Sequence, residues 1–199
     1  MKKIFSLVVF IVGFLGNAQS ILPKSETDIA PLLIGEKIPN LTLKSVEGQD
    51  VSLESLLSEK RTVLVFYRGG WCPYCNLHLA ALGEAEKELL DLDYQIIAIS
   101  PDAPENLKVT GEKDKINYLL LSDSNGKLAQ AMGIAFQAPE NYKPIISKGS
   151  DGVNSSFLPV PSVFIVNLDK EIEFEYISPD YKHRISNQLL VAVAQSLKK

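Results

Sequence analysis

The chain has 199 residues, 46% apolar and 22% charged, with a formal net charge of −4. That is an ordinary globular balance, which excludes wholesale disorder, and 12 Gly with 11 Pro in no period exclude collagen-like or low-complexity chains. An acidic chain without a basic run excludes a nucleic-acid partner, and its length suits one core with additions at the ends.

Residues 1–18 read as a secretory signal peptide. Lys2 and Lys3 precede an apolar run from Ile4 to Leu15, which is too short to span a bilayer, and Gly16-Asn17-Ala18 supplies small residues for cleavage. The expectation is therefore an exported, periplasmic protein beginning at Gln19, with no stable membrane insertion after cleavage. Residues 19–33, interrupted by Pro23 and Pro31, read as a leader, and 34–199 as the folded domain.

From there the elements alternate. Asn40–Lys44 and Val51–Leu53 form a hairpin across Gly48-Gln49-Asp50, and Ser52 is placed to cap a short helix over Leu53–Ser58. Thr62–Tyr67 is β-branched and aromatic on both faces, as a covered central strand must be. Arg68-Gly69-Gly70-Trp71 breaks it. A helix follows from Pro73 to Leu92, with Leu79, Leu82, Ala85, Leu89 and Leu92 at helical spacing and Glu84–Glu88 forming a solvated face. Tyr94–Ser100 is the next strand, Pro101–Lys113 a polar helix, Tyr118–Leu121 a strand, and Gly126–Met132 a helix capped by Ser124. Gln137–Pro159 has no period; a stretch that long is often functional. Ser162–Val166 and Glu171–Ile177 form a second hairpin, and Ile185–Leu197 closes the chain as a helix. The fold class is α/β, a central mixed sheet with helices on both faces and an N-terminal β-hairpin.

The chemistry is concentrated in Trp71-Cys72-Pro73-Tyr74-Cys75, which holds the only two cysteines. In an oxidising compartment two such thiols tend to pair. A ring this small closes little chain entropy, so the spacing favours redox chemistry over a structural staple. Cys72 stands at a helix N-terminus, where free N–H groups and the dipole favour thiolate over thiol. Pro73 suits the first turn because it has no N–H to lose. Cys75, one turn further in, is placed to attack an oxidised Cys72 and is expected to be the less exposed thiol. Trp71 can roof the thiol. A cis peptide at Val160–Pro161 would explain a proline directly before a buried strand, with the flanking backbone free to bond a bound substrate strand. Arg184 is read either as a cation favouring the thiolate or as a surface residue. His78 completes C-x-x-C-x-x-H, a soft-metal spacing, but is read as a polar helix-surface residue; His183 is read as solvated.

These segments carry a resemblance. FYRGGWCPYCNLHLAAL, LPVPSVFIVNLDKE, PNLTLKSVEGQDVSL, IIAISPDAPENL, MGIAF and DYKHRI resemble the thioredoxin-like superfamily. Within it they resemble the peroxiredoxin-like branch of the alkyl hydroperoxide reductase/thiol-specific antioxidant family, from about Ile34 to Leu197. The resemblance implies Cys72 as peroxidatic or attacking cysteine, Cys75 as resolving cysteine, Pro161 as the cis-proline, and Arg68 or Arg184 as the active-site arginine. It implies a peroxide substrate, a thioredoxin-like or other dithiol electron donor, and no metal or flavin. Gly69 stands where the family usually places Thr or Ser. The alternatives carried beside a thiol peroxidase are a thiol–disulfide oxidoreductase acting on exported proteins and a copper-binding module of the same fold.

Overall fold

A computed structural model describes residues 22–198; the signal peptide expected over 1–18 lies outside the described residues. The hairpin at the start forms as expected, β1 (Thr42–Lys44) against β2 (Asp50–Ser52), antiparallel with Leu43 opposite Val51. Helix α1 (Leu53–Glu59) starts where predicted, the Ser52 hydroxyl accepting the Ser55 N–H at 3.3 Å. Strands β3 (Arg61–Phe66), β4 (Tyr94–Ser100) and β5 (Leu119–Ser122) run parallel at the centre. β8 (Ser162–Val166) and β9 (Ile172–Ile177) continue the sheet antiparallel. The order across the seven strands is β2-β1-β5-β4-β3-β8-β9.

Successive side chains of a strand point to opposite faces, so β3 and β4 feed two cores at once. Val63, Val65, Ile96 and Ala98 join α2 (Pro73–Asp91), α3 (Pro104–Asp114) and α6 (Asn187–Leu197) on one face. Leu64, Phe66, Ile97 and Ile99 join α1 and α4 (Lys127–Ala131) on the other. The predicted stripe on α2 is the buried one: Leu79, Leu82 and Leu89 are fully enclosed, and each would cost about 2–5 kcal/mol to truncate to Ala. This is the mixed sheet with helices on both faces that the sequence implied.

Three places differ from expectation. The cap of α4 is not Ser124: Asp123 accepts the N–H groups of Leu128 (3.1 Å) and Ala129 (2.8 Å), and its burial raises it to about 6 against those hydrogen bonds. The stretch 137–159 is built from a small antiparallel pair, β6 (Ala135–Gln137) with β7 (Phe157–Pro159), and from α5 (Lys143–Gly149). Its elements are too short to show a period. Finally, the segment read as a leader is, from Leu22 on, packed against the second core through Leu22, Ile29 and Leu32. Its backbone bonds the domain: Gln137 N–H to Pro23 C=O and Leu32 N–H to Met132 C=O.

Candidate active site

Tyr67 follows the last residue of β3, and its N–H reaches the Ile99 carbonyl of β4 at 3.0 Å. The chain then turns sharply into α2. Gly69 makes this turn with φ of +137°, and a Cβ there would lie 2.4 Å from Trp71 Nε1 and 2.7 Å from Asp102 Oδ1. The position has neither the dihedral nor the room for the Thr or Ser usual there. Gly70 N–H donates to Asp102 Oδ2 at 2.7 Å, and Asn76 Nδ2 donates to Gly70 C=O at 2.9 Å, so both sides of the turn are tied down. Cys72 is the N-cap of α2, with Pro73 at the first helical position and Cys75 one turn in.

The two cysteines are free thiols. Their environments split them as the helix-terminus argument requires, but for Cys72 the largest cause is its pairing with Cys75. Cys72 is lowered to about 6, first by the hydrogen bond from the Cys75 thiol, then by the Cys75 backbone N–H and by Arg68 and Arg184, against the opposing effect of burial. Cys75 is pushed well up, first by burial and then by its bond to Cys72. Cys75 is the less exposed thiol, as expected, but by a narrow margin: it is 0% exposed and Cys72 2%, so both are enclosed. Tyr181 packs edge-on against Tyr74 in the first turn of α2, 5.7 Å between ring centroids.

The two arginines flank the pair from different sides. Arg68 is buried, and its guanidinium lies over the rings of Tyr181 (4.2 Å), Tyr142 (4.4 Å) and Trp71 (5.1 Å). Its Nε is enclosed without a partner, and among the described residues no acidic side chain forms an ion pair with it. Arg184 does reach the site, but its Nη2 meets Cys75 Sγ at 3.7 Å rather than Cys72. Trp71 turns its ring toward Arg68 and toward Tyr142, 5.6 Å between centroids, so it walls the arginine.

Pro161 lines a small apolar pocket with Arg68, Phe136, Pro139, Tyr142 and Tyr181, about 80 Å³ in volume. The structure therefore brings Arg68, Trp71, Pro161 and the thiols into one neighbourhood. The peptide before Pro161 is trans, correcting the cis expectation. The backbone beside it is also not free for a substrate strand. Val160 N–H bonds Ile134 C=O, Pro161 C=O accepts Ser178 N–H, and Val160 C=O accepts the Ser162 hydroxyl. Proline is tolerated here because the preceding residues belong to the separate β6–β7 pair, so the sheet asks no donor of residue 161.

The histidines also need correction. His78 is buried on α2, not exposed; its Nε2 has no partner, and burial with the nearby Arg184 lowers it to about 4. Among the described residues no three His, Cys, Asp or Glu side chains gather as a metal site, so the C-x-x-C-x-x-H spacing does not become a ligand cluster. His183 is solvent-exposed and faces Asp180 at 3.3 Å. Sequence reasoning missed Tyr142, Tyr181 and Asp102. Tyr142 and Tyr181 lie in turn-rich stretches with no period, and only the aromatic type itself singles them out.

The AhpC/TSA family model matches residues 34–175. The chain is 27% identical to Peroxiredoxin Bcp of Escherichia coli over 153 residues, covering 76% of this chain and 88% of that one. It is 35% identical to Peroxiredoxin Bcp of Bacillus subtilis over 101 residues, 51% and 64% of the two chains. Among solved structures, Peroxidoxin BcpB of Mycobacterium tuberculosis superposes with a TM-score of 0.66 at 20% identity, covering 83% of this chain and 95% of that one. The Peroxiredoxin 6 of Arenicola marina, as its C45S mutant, gives 0.71 at 20% identity, covering 84% and 74%. The fold that this chain shares with both is thioredoxin-like.

Proposed function

The chain belongs to the AhpC/TSA family, and from that premise we propose that it is an exported thiol peroxidase working through a Cys72/Cys75 cycle. The observation that carries the reading is the split pair: a Cys72 thiol lowered to about 6 at the head of α2, over a Cys75 thiol held protonated one turn below. The Cys72 thiolate attacks one oxygen of the peroxide, the O–O bond breaks, and the other oxygen leaves with a proton as alcohol or water. Cys72 is then a sulfenic acid. The Cys75 sulfur attacks Cys72 Sγ, the S–S bond forms, and the sulfenic oxygen departs as water with the Cys75 proton. A dithiol donor returns both thiols, itself becoming a disulfide. Arg68, walled by rings, and Arg184, against Cys75, supply positive charge to the thiolate as the peroxide approaches.

A thiol–disulfide oxidoreductase is the second reading. The 2% exposure of Cys72 counts against it, because a folded protein's disulfide is far larger than a peroxide. One experiment separates the two: reduced protein is mixed with stoichiometric hydrogen peroxide and thiol loss is followed. Fast loss is expected in the wild type and none of it in Cys72→Ser. Cys75→Ser should give a single attack that stops at a Cys72 sulfenic acid. A rate no faster than that of a small free thiol at the same pH ends the peroxidase reading. Export rests on residues 1–18 and has its own test. Mass spectrometry of the natively produced protein should find Gln19 at the N-terminus, and intact Met1 in a membrane fraction would refute it.

A further inference from the structure

Asp102 belongs to no step of the cycle, yet it is the side chain on which the turn before Cys72 rests. It lies just past β4 and is 3% exposed. One oxygen accepts the Gly70 N–H at 2.7 Å. The other sits where a Cβ of Gly69 or of Gly149 would be only 2.7 Å away, so the turn and the end of α5 close on it with no side chain between. Trp71 seals the same contact: its Cδ1 would be 3.5 Å from a Gly149 Cβ. The carboxylate borders a cleft of about 310 Å³ beside α3 and α5, which Gly70 and Trp71 also line.

We propose that Asp102 is a positioning residue for Cys72: its carboxylate clamps the 69–71 turn and so fixes the direction of both Cys72 and Trp71. The inference rests on Cys72 being the nucleophile, but the clamp itself is independent of which oxidant Cys72 meets. Ionised, Asp102 makes a charge-assisted hydrogen bond to Gly70; protonated, it makes a weaker one. Burial raises it to about 6, with the Gly70 and Ser100 hydrogen bonds opposing. The other titratable and charged groups facing it are the buried Tyr67 phenol, just past β3, and, lining the cleft, Lys113 of α3 and Lys148 of α5. Tyr67 stays neutral because burial raises it.

Trp71 is the only tryptophan, so its emission reads this turn directly. In a Cys72→Ser/Cys75→Ser/His183→Gln parent, which removes the thiols and the exposed imidazole, emission should change sigmoidally between pH 4.5 and 8 with a midpoint near 6. Adding Asp102→Asn should leave it flat across that range, because the amide oxygen still accepts Gly70 N–H and does not titrate. In the thiol-bearing protein at pH 8, Asp102→Ala should slow iodoacetamide alkylation of Cys72 on the order of tenfold, the loss of one hydrogen bond to a charged group. Asp102→Asn should restore most of that rate. A flat parent, a titration that survives Asp102→Asn, or unchanged alkylation in Asp102→Ala would each overturn the proposal. If Asp102→Ala does not fold, the parent against Asp102→Asn decides alone. None of these readouts uses a peroxide, so a failed peroxidase assay and a failed clamp are told apart.

Discussion

Replacing Cys75 by Ala tests the origin of the Cys72 thiolate. Alanine keeps α2 intact, being the best helix former, and keeps the residue 75 N–H that faces Cys72. It removes the thiol donor, which is the largest cause of the lowering to about 6, together with the sulfur that Arg184 Nη2 meets at 3.7 Å. A hydrogen bond to a charged group is worth about 1.5–3 kcal/mol. At about 1.36 kcal/mol per tenfold change in ionisation, the Cys72 midpoint should rise from about 6 to about 7–8. The thiolate fraction at pH 7 then falls from about nine-tenths to between about a tenth and a half. The assay is the rate of iodoacetamide alkylation from pH 5 to 9, which in this variant reports a single thiol. Arg68→Met in the same assay should move the midpoint up by less, since its charge is a smaller cause than the Cys75 bond. A Cys75→Ala midpoint that stays near 6 would refute the pairing argument and leave the helix terminus and the two arginines as the whole cause. A Cys75→Ala midpoint at or above that of a free thiol would show that the turn itself depends on Cys75.

His78 is held neutral by burial and lowered to about 4, so it weakens the fold in acid. The unfolded imidazole takes its proton as pH falls below about 6.5 while the folded one does not until about 4. Stability is therefore full above 6.5 and lost downward, by about 2 kcal/mol at pH 5. His78→Leu, compared with wild type by denaturant unfolding at pH 7.5 and 5, should abolish that part of the acid loss; an equal loss in both would sink the argument. Gly133 has φ of +69°, and a Cβ there would meet the Ala30 carbonyl oxygen at 1.9 Å. Gly133→Ala should cost at least about 2 kcal/mol and speed tryptic cleavage at Lys24, because left-handed strain adds to displacement of backbone. A change under about 0.5 kcal/mol would show that residues 30–31 are free to move aside.

The elements legible in the sequence were those whose burial is regular. β4 and β8 carry unbroken apolar runs covered on both faces, and their limits match the reading residue for residue. The C-x-x-C turn was legible because glycine, proline and cysteine each have a narrow set of backbone and chemical uses. What was not legible depends on partners distant in sequence. Arg68 takes its surroundings from Tyr142 and Tyr181, more than seventy residues away, and no local spacing announces them. Pro161 invites a cis peptide only if residue 160 must pair in the central sheet, and it pairs elsewhere. His78 reads as surface by residue type, but it is buried, with Arg184 from the segment just before α6 near it. Asp102 looks like an ordinary turn acid until its two glycine neighbours are seen to close on it.

The segment from Gly35 to Ile38 has a bearing on how copies of this chain meet. Gly35 N–H bonds Ile172 C=O, Ile172 N–H bonds Glu36 C=O, and Ile38 N–H bonds Lys170 C=O, with Lys37 bridged to Glu171. These bonds use the outward-facing groups at the start of β9, the last strand of the sheet. Beyond them the strand carries Glu175, and Glu173 is already ion-paired with Arg61 of the same molecule. The opposite edge, β2, is three residues long and carries the Lys44–Asp50 ion pair on its hairpin, too short a template for strand addition. Growth of the sheet from one molecule to the next is thus blocked at both ends. At β9 the block is a strap of the chain's own N-terminal backbone, so a proteolytic cut that releases residues 22–38 would turn a self-limited sheet into one that can recruit its neighbours.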